Sequence, residues 1–63
     1  MKYSELKRLL KKYGCRFDHD GGGHEIWYSP ITGLYFPVGR HDRADVKKGT
    51  LTSILKDAGI KLK

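Results

Sequence analysis

The sequence has a single cysteine, Cys15, so no disulfide can form within the chain. Small secreted domains usually depend on such staples, which makes a reducing cytoplasm the expected compartment. Zinc sites built from paired cysteines are excluded as well. No apolar run is long enough for a membrane span. The start, Met1-Lys2-Tyr3-Ser4-Glu5, lacks the apolar stretch of a signal peptide, so neither segment is expected. Length is also scarce. At 63 residues the chain makes one domain, and so short a domain buries only about 60% of the surface its unfolded chain exposes. Acidic residues are few, with 7 Asp and Glu against 13 Lys and Arg, for a net charge of +6. That excess favours a polyanionic partner: nucleic acid, an acidic membrane surface or an acidic protein.

What is present has clear periodicity. Leu6, Leu9, Leu10 and Tyr13 recur at i, i+3, i+4 and i+7, the apolar stripe of an amphipathic helix. Ser4 is placed to cap it, and Gly14 to stop it. Three strand segments follow. Cys15 to Asp20 alternates, with Cys15, Phe17 and His19 on one side and Arg16, Asp18 and Asp20 on the other. Gly21-Gly22-Gly23 makes a turn, and His24 to Ser29 returns as a second strand rich in aromatic and branched residues. Pro30 to Gly33 is a second turn, and Leu34 to Val38 a third strand, which Pro37 assigns to a sheet edge. A polar loop spans 39–49. A last helix, capped by Thr50, carries Leu51, Ile54, Leu55 and Ala58 at the same helical spacing and ends at Gly59. The tail, Ile60 to Lys63, reads equally as a short strand or a chain end.

Two helices with one apolar face each must cover one face of a three-stranded antiparallel sheet. The expected fold is thus an α+β two-layer sandwich in αβββα order, as in the double-stranded-RNA-binding domain. Phe17, Ile26, Leu34 and Phe36 are expected in the core. Of Trp27 and Tyr28, which alternate along their strand, one should enter the core and the other face a base or a protein partner.

Two stretches are more specific. They are Gly22-Gly23-His24-Glu25-Ile26-Trp27, and the run from Lys47-Lys48-Gly49-Thr50-Leu51 to Ala58-Gly59. With the opening Ser4-Glu5-Leu6, Leu9-Leu10 and Gly14, the chain resembles the HicA (YcfA-like) toxins of type II toxin–antitoxin modules over nearly its whole length. The resemblance implies a double-stranded-RNA-binding-like fold. It also implies cleavage of mRNA with arrest of translation, and neutralisation by a HicB antitoxin. The catalytic histidine of the family follows the glycines of the first hairpin, which maps onto His24. Many members carry serine just before that histidine, where this chain has Gly23.

The residue chemistry agrees with such an activity. RNA carries its own nucleophile, the 2′-hydroxyl, and a histidine titrating near neutral pH can move the proton. No metal or other cofactor is expected, since the histidines lack metal-ligand spacing. Gly22 and Gly23 can bring bare backbone N–H groups close to a phosphate. Lys7, Lys11 and Lys12 on the first helix, with Arg40, Arg43, Lys47 and Lys48, are candidate phosphate contacts at the places this fold uses for RNA. His19 is either a second acid–base group or an ordinary strand residue, and His41 sits in the basic loop. The competing function is a non-catalytic RNA-binding module of the same fold, which would need the basic surface but not His24.

Overall fold

The computed structural model describes residues 1–61. It contains helix α1 (Tyr3–Lys12), strands β1 (Arg16–Asp20), β2 (His24–Tyr28) and β3 (Tyr35–Gly39), and helix α2 (Lys48–Ala58). The strands form one antiparallel sheet in the order β1-β2-β3. The αβββα order of the double-stranded-RNA-binding fold is therefore present as expected. Among the described residues no helix is long and apolar enough to cross a membrane. Leu62 and Lys63, which end the tail, lie outside the described residues.

Trp27, Phe36 and Val38 point to one face of the sheet and are buried. They cluster with Leu6 and Leu10 of α1 and with Ile54 and Ala58 of α2, so both helices cover that face. Burying side chains of this size stabilises by about 1.5–3 kcal/mol each. Three expected core residues lie outside it, and one of them, Ile26, faces the other side of the sheet because it alternates with the buried Trp27. Phe17 is 46% exposed and Leu34 49% exposed. Phe17 shares a register position with Trp27, but α2 packs against β3, at the far side of the sheet from β1. Leu34 belongs to the turn before β3.

The chain also departs from strict alternation in β1. Phe17 pairs with Trp27 and His19 with Ile26, so Asp18 is an extra residue, a β-bulge. Beyond it the faces exchange. His19 joins the outer face, away from the helices, and Asp20 turns to the side of Glu25. The expected grouping of His19 with Cys15 and Phe17 is overturned by this one residue.

The helix ends are completed by distant parts of the chain. α1 starts after Lys2, not Ser4. The Lys2 amide donates to Glu5 Oε1 at 2.8 Å. The amides of Tyr3 and Ser4 donate to the carbonyls of Ala44 (3.0 Å) and Asp42 (3.1 Å), so the polar loop takes the place of a side-chain cap. Val46 N–H to the Met1 carbonyl, at 2.8 Å, continues the same seam. α2 starts after Lys47 with no side-chain cap, and Thr50 lies inside its first turn. At its C-terminus Gly59 has φ +77°, and Ile60 N–H reaches back to the Leu55 carbonyl at 3.0 Å. The β2–β3 connection finishes the job. The buried Ser29 hydroxyl donates to the Ala58 carbonyl, and the Thr32 hydroxyl to the Asp57 carbonyl, each at 2.6 Å.

Candidate active site

His24 is the first residue of β2 and follows the glycine turn directly. The turn closes with Gly21 N–H donating to the His24 carbonyl at 2.8 Å. Gly22 and Gly23 have φ of +59° and +106°, the positive pair a mirrored two-residue hairpin turn requires. A Cβ at either position would meet nothing within 4 Å, so both backbones stand open to whatever approaches. His24 itself is exposed, and its register partner is Gly39 at the end of β3. Gly39 is small for a reason. A Cβ there would lie 2.8 Å from Cζ of Tyr3, whose ring fills that space.

Tyr3 is the first residue of α1, so α1 begins beside His24. α2 begins after the loop that leaves Gly39 and ends against Ser29 and Thr32, at the opposite end of the sheet. Both helices therefore point their N-termini, the positive ends of their dipoles, toward the His24 end of the molecule.

Glu25 faces the helices. Its Oε1 accepts from Trp27 Nε1 at 3.0 Å, and its Oε2 lies 3.2 Å from Lys7 Nζ. Lys7 also binds Asp42 Oδ1 at 2.6 Å, and its side chain is only 12% exposed. Burial pulls the Lys7 pKa down, but the hydrogen bonds and charges of Asp42 and Glu25 outweigh it, and the net shift is upward from 10.5. This triad ties α1, β2 and the loop after β3 together beneath His24. Lys7, expected among the phosphate contacts, is instead held by two carboxylates, and Glu25, with no role expected from the sequence, is one of them. Only a carboxylate in an otherwise apolar strand hinted at it.

The basic residues divide into groups. Arg40 pairs with Asp20 Oδ1 at 3.0 Å in an exposed contact. Arg43, Lys47 and Lys48 are exposed at the His24 end, with no carboxylate in ion-pair range among the described residues. Nearby carboxylates are engaged: Asp45 with Lys2, Asp42 and Glu25 with Lys7, Asp20 with Arg40. The local positive charge is thus left uncompensated. Lys11 and Lys12 are exposed in the last turn of α1, away from His24.

His19 comes to the same face as His24 through the bulge. Its partner Ile26 is two residues along from His24, which puts the two histidines in diagonal positions about 7–8 Å apart by ladder geometry. Asp18 Oδ2 is 2.6 Å from His19 Nδ1, which fixes the ring and directs Nε2 away from Asp18. His41 lies apart, in the loop, with its carbonyl accepting from Ala44 N–H at 3.0 Å.

Neither a search of curated proteins nor one of solved structures gave a match. The family model for the HicA toxin of bacterial toxin–antitoxin systems matches residues 3–60, nearly the full length. The glycine turn with His24, both helices and all three strands fall inside that span, and the chain belongs to the HicA toxin family.

Proposed function

We propose that this toxin is a metal-independent endoribonuclease that cleaves mRNA in the cytoplasm, and so arrests translation, with His24 as its general acid–base. The observation that carries this is the setting of His24: exposed, beside two open glycine amides, at the end of the molecule where both helix N-termini gather with Arg43, Lys47 and Lys48, which have no ion-pair partner among the described residues. A phosphodiester is drawn to that end by charge and by the helix termini together. The 2′-oxygen forms its bond to phosphorus as the bond to the 5′-oxygen breaks, leaving a 2′,3′-cyclic phosphate and a 5′-hydroxyl. His24 takes the 2′ proton or supplies one to the 5′-oxygen. The second transfer falls to water or to His19, which Asp18 orients on the same face.

The amides of Gly22 and Gly23 donate to the non-bridging phosphate oxygens as charge grows on them. Arg40, Arg43, Lys47 and Lys48 hold flanking phosphates near His24, and Lys11 and Lys12 extend the contact along α1. Lys7 acts indirectly, by keeping the loop against the sheet. A HicB-type antitoxin neutralises the toxin by covering the His24 end, with acidic groups opposite the same cations.

The test is cleavage of RNA in excess EDTA by the native chain and by His24→Ala. Cleavage lost in the variant, with RNA binding retained, is the expected result. Positioned acid–base catalysis contributes about 10²- to 10⁴-fold, so the loss should be at least about a hundredfold. Equal cleavage by both chains would remove His24 from the mechanism. Binding without cleavage by the native chain would make it a non-catalytic RNA-binding module.

A further inference from the structure

The helices cover one face of the sheet, and the other face carries a second feature. Arg16, Tyr28 and Tyr35 are register partners in one row across all three strands. Arg16 Cζ lies 4.9 Å from the centre of the Tyr28 ring. The rings of Tyr28 and Tyr35 are 4.9 Å apart at a tilt of 52°. Tyr35 is 59% exposed, the most exposed of the large hydrophobic side chains among the described residues. Arg16 has no carboxylate in ion-pair range among the described residues. None of the three contributes to the core.

Two aromatic rings with an unpaired guanidinium over one of them form a platform with a definite chemistry. It offers a π-face for stacking and a cation for a phosphate. A duplex cannot use the stacking part, because its bases are already stacked and its helix presents sugars and phosphates. An unpaired base can. The platform also shares its face with His24. Residues 24, 26 and 28 of β2 alternate onto one side, and four residues of strand span about 14 Å, a reach of a few nucleotides.

We propose that Arg16, Tyr28 and Tyr35 bind an unpaired base and its phosphate a few nucleotides from the bond that His24 cleaves. The inference deepens the ribonuclease reading and rests on it for the role of His24. Tyr35 provides the open ring, Tyr28 buttresses it, and Arg16 meets the phosphate. Because every base has a π-face, the platform selects strandedness rather than sequence.

The test measures binding separately from cleavage. In the His24→Ala background, the affinity for a short labelled single-stranded RNA is read by fluorescence anisotropy, beside a blunt duplex of the same sequence. Adding Tyr35→Ala should weaken single-strand binding roughly 5- to 30-fold. Tyr35→Phe, and duplex binding by either variant, should change by less than about twofold. Arg16→Gln should lower the salt slope of single-strand affinity by about 0.7, the share of one phosphate. Since Tyr35 lies outside the core, unchanged Trp27 fluorescence checks that the variants fold. Unchanged single-strand binding in Tyr35→Ala would overturn the proposal and leave the face to a protein partner. An equal loss for duplex would overturn the preference for unpaired RNA. A native chain that binds but never cleaves would overturn the ribonuclease reading alone, because the Tyr35 comparison does not depend on turnover.

Discussion

Replacing Glu25 by alanine should cost this small fold a large part of its stability. The carboxylate has two partners, Trp27 Nε1 at 3.0 Å and Lys7 Nζ at 3.2 Å. Trp27 is only 2% exposed, so its indole N–H would lose its acceptor where little water reaches, at about 1–3 kcal/mol. Lys7 keeps Asp42, so the lost ion pair adds only about 0.5–1 kcal/mol. The total is about 1.5–4 kcal/mol. A 63-residue chain has about 3–9 kcal/mol to lose. At about 4–8 °C per kcal/mol, Tm should fall by about 6–30 °C. Urea unfolding followed by fluorescence measures this at the site itself, because Trp27 is the sole tryptophan. Glu25→Gln separates the two parts. Its amide oxygen still accepts from Trp27, so only the charge opposite Lys7 is lost, at about 1 kcal/mol or less. A Glu25→Ala variant within about 0.5 kcal/mol of the native chain, the range of an ordinary surface change, would show that the carboxylate does not hold Trp27 and Lys7 in place. A Gln variant as unstable as the Ala one would count against this division between the two partners.

Two further predictions concern stability. Gly23→Ser, which installs the residue many family members carry there, should cost about 1–2 kcal/mol because φ is +106°, although the space is open. Gly59→Ala should cost more, about 2–4 kcal/mol, because φ is +77° and its Cβ would lie 2.7 Å from Ile31 Cγ2. Urea midpoints rank the two variants, and equal costs would count against the crowding at Gly59. The second concerns pH. The Lys7 pKa is raised on folding, so its contribution is complete below 10.5 and is lost as pH rises through the folded value. The native chain should therefore lose stability more steeply than Lys7→Met above that pH. Parallel curves would show that the Lys7 pairs contribute nothing.

The sequence carried the fold well where periodicity decides it. Leu6 and Leu10, Ile54 and Ala58, and the alternation through Trp27, Phe36 and Val38 are each a one-dimensional signal with a three-dimensional meaning. It failed where a distant segment decides. Ser4 and Thr50 have the chemistry of caps, yet α1 takes its cap from the carbonyls of Asp42 and Ala44, and α2 begins earlier than Thr50. The bulge at Asp18 leaves no mark on a stretch that alternates in sequence, so the face of His19 was not legible. Ser29 gave no signal either, because a small polar residue in a turn is ordinary until the end of α2 is laid upon it. For the candidate site, the glycines and His24 were legible through their motif. The Glu25–Lys7–Asp42 triad was not, since its members are 18 and 35 residues from Lys7 along the chain.

The seam between the polar loop and the start of α1 has a consequence for recognition. A loop with Arg40, His41 and Arg43 would ordinarily sample many shapes, and ordering it on a ligand would cost about 0.5–1.5 kcal/mol for each long side chain, besides its backbone. Here the backbone part is already ordered. The carbonyls of Asp42 and Ala44 hold the first amides of α1, Val46 holds Met1, and Asp42 holds Lys7. On the proposed reading, an incoming polyanion would meet cations spaced in advance. Affinity for such a ligand would accordingly depend on the N-terminal residues as much as on the loop, and trimming residues 1–2 should loosen that surface.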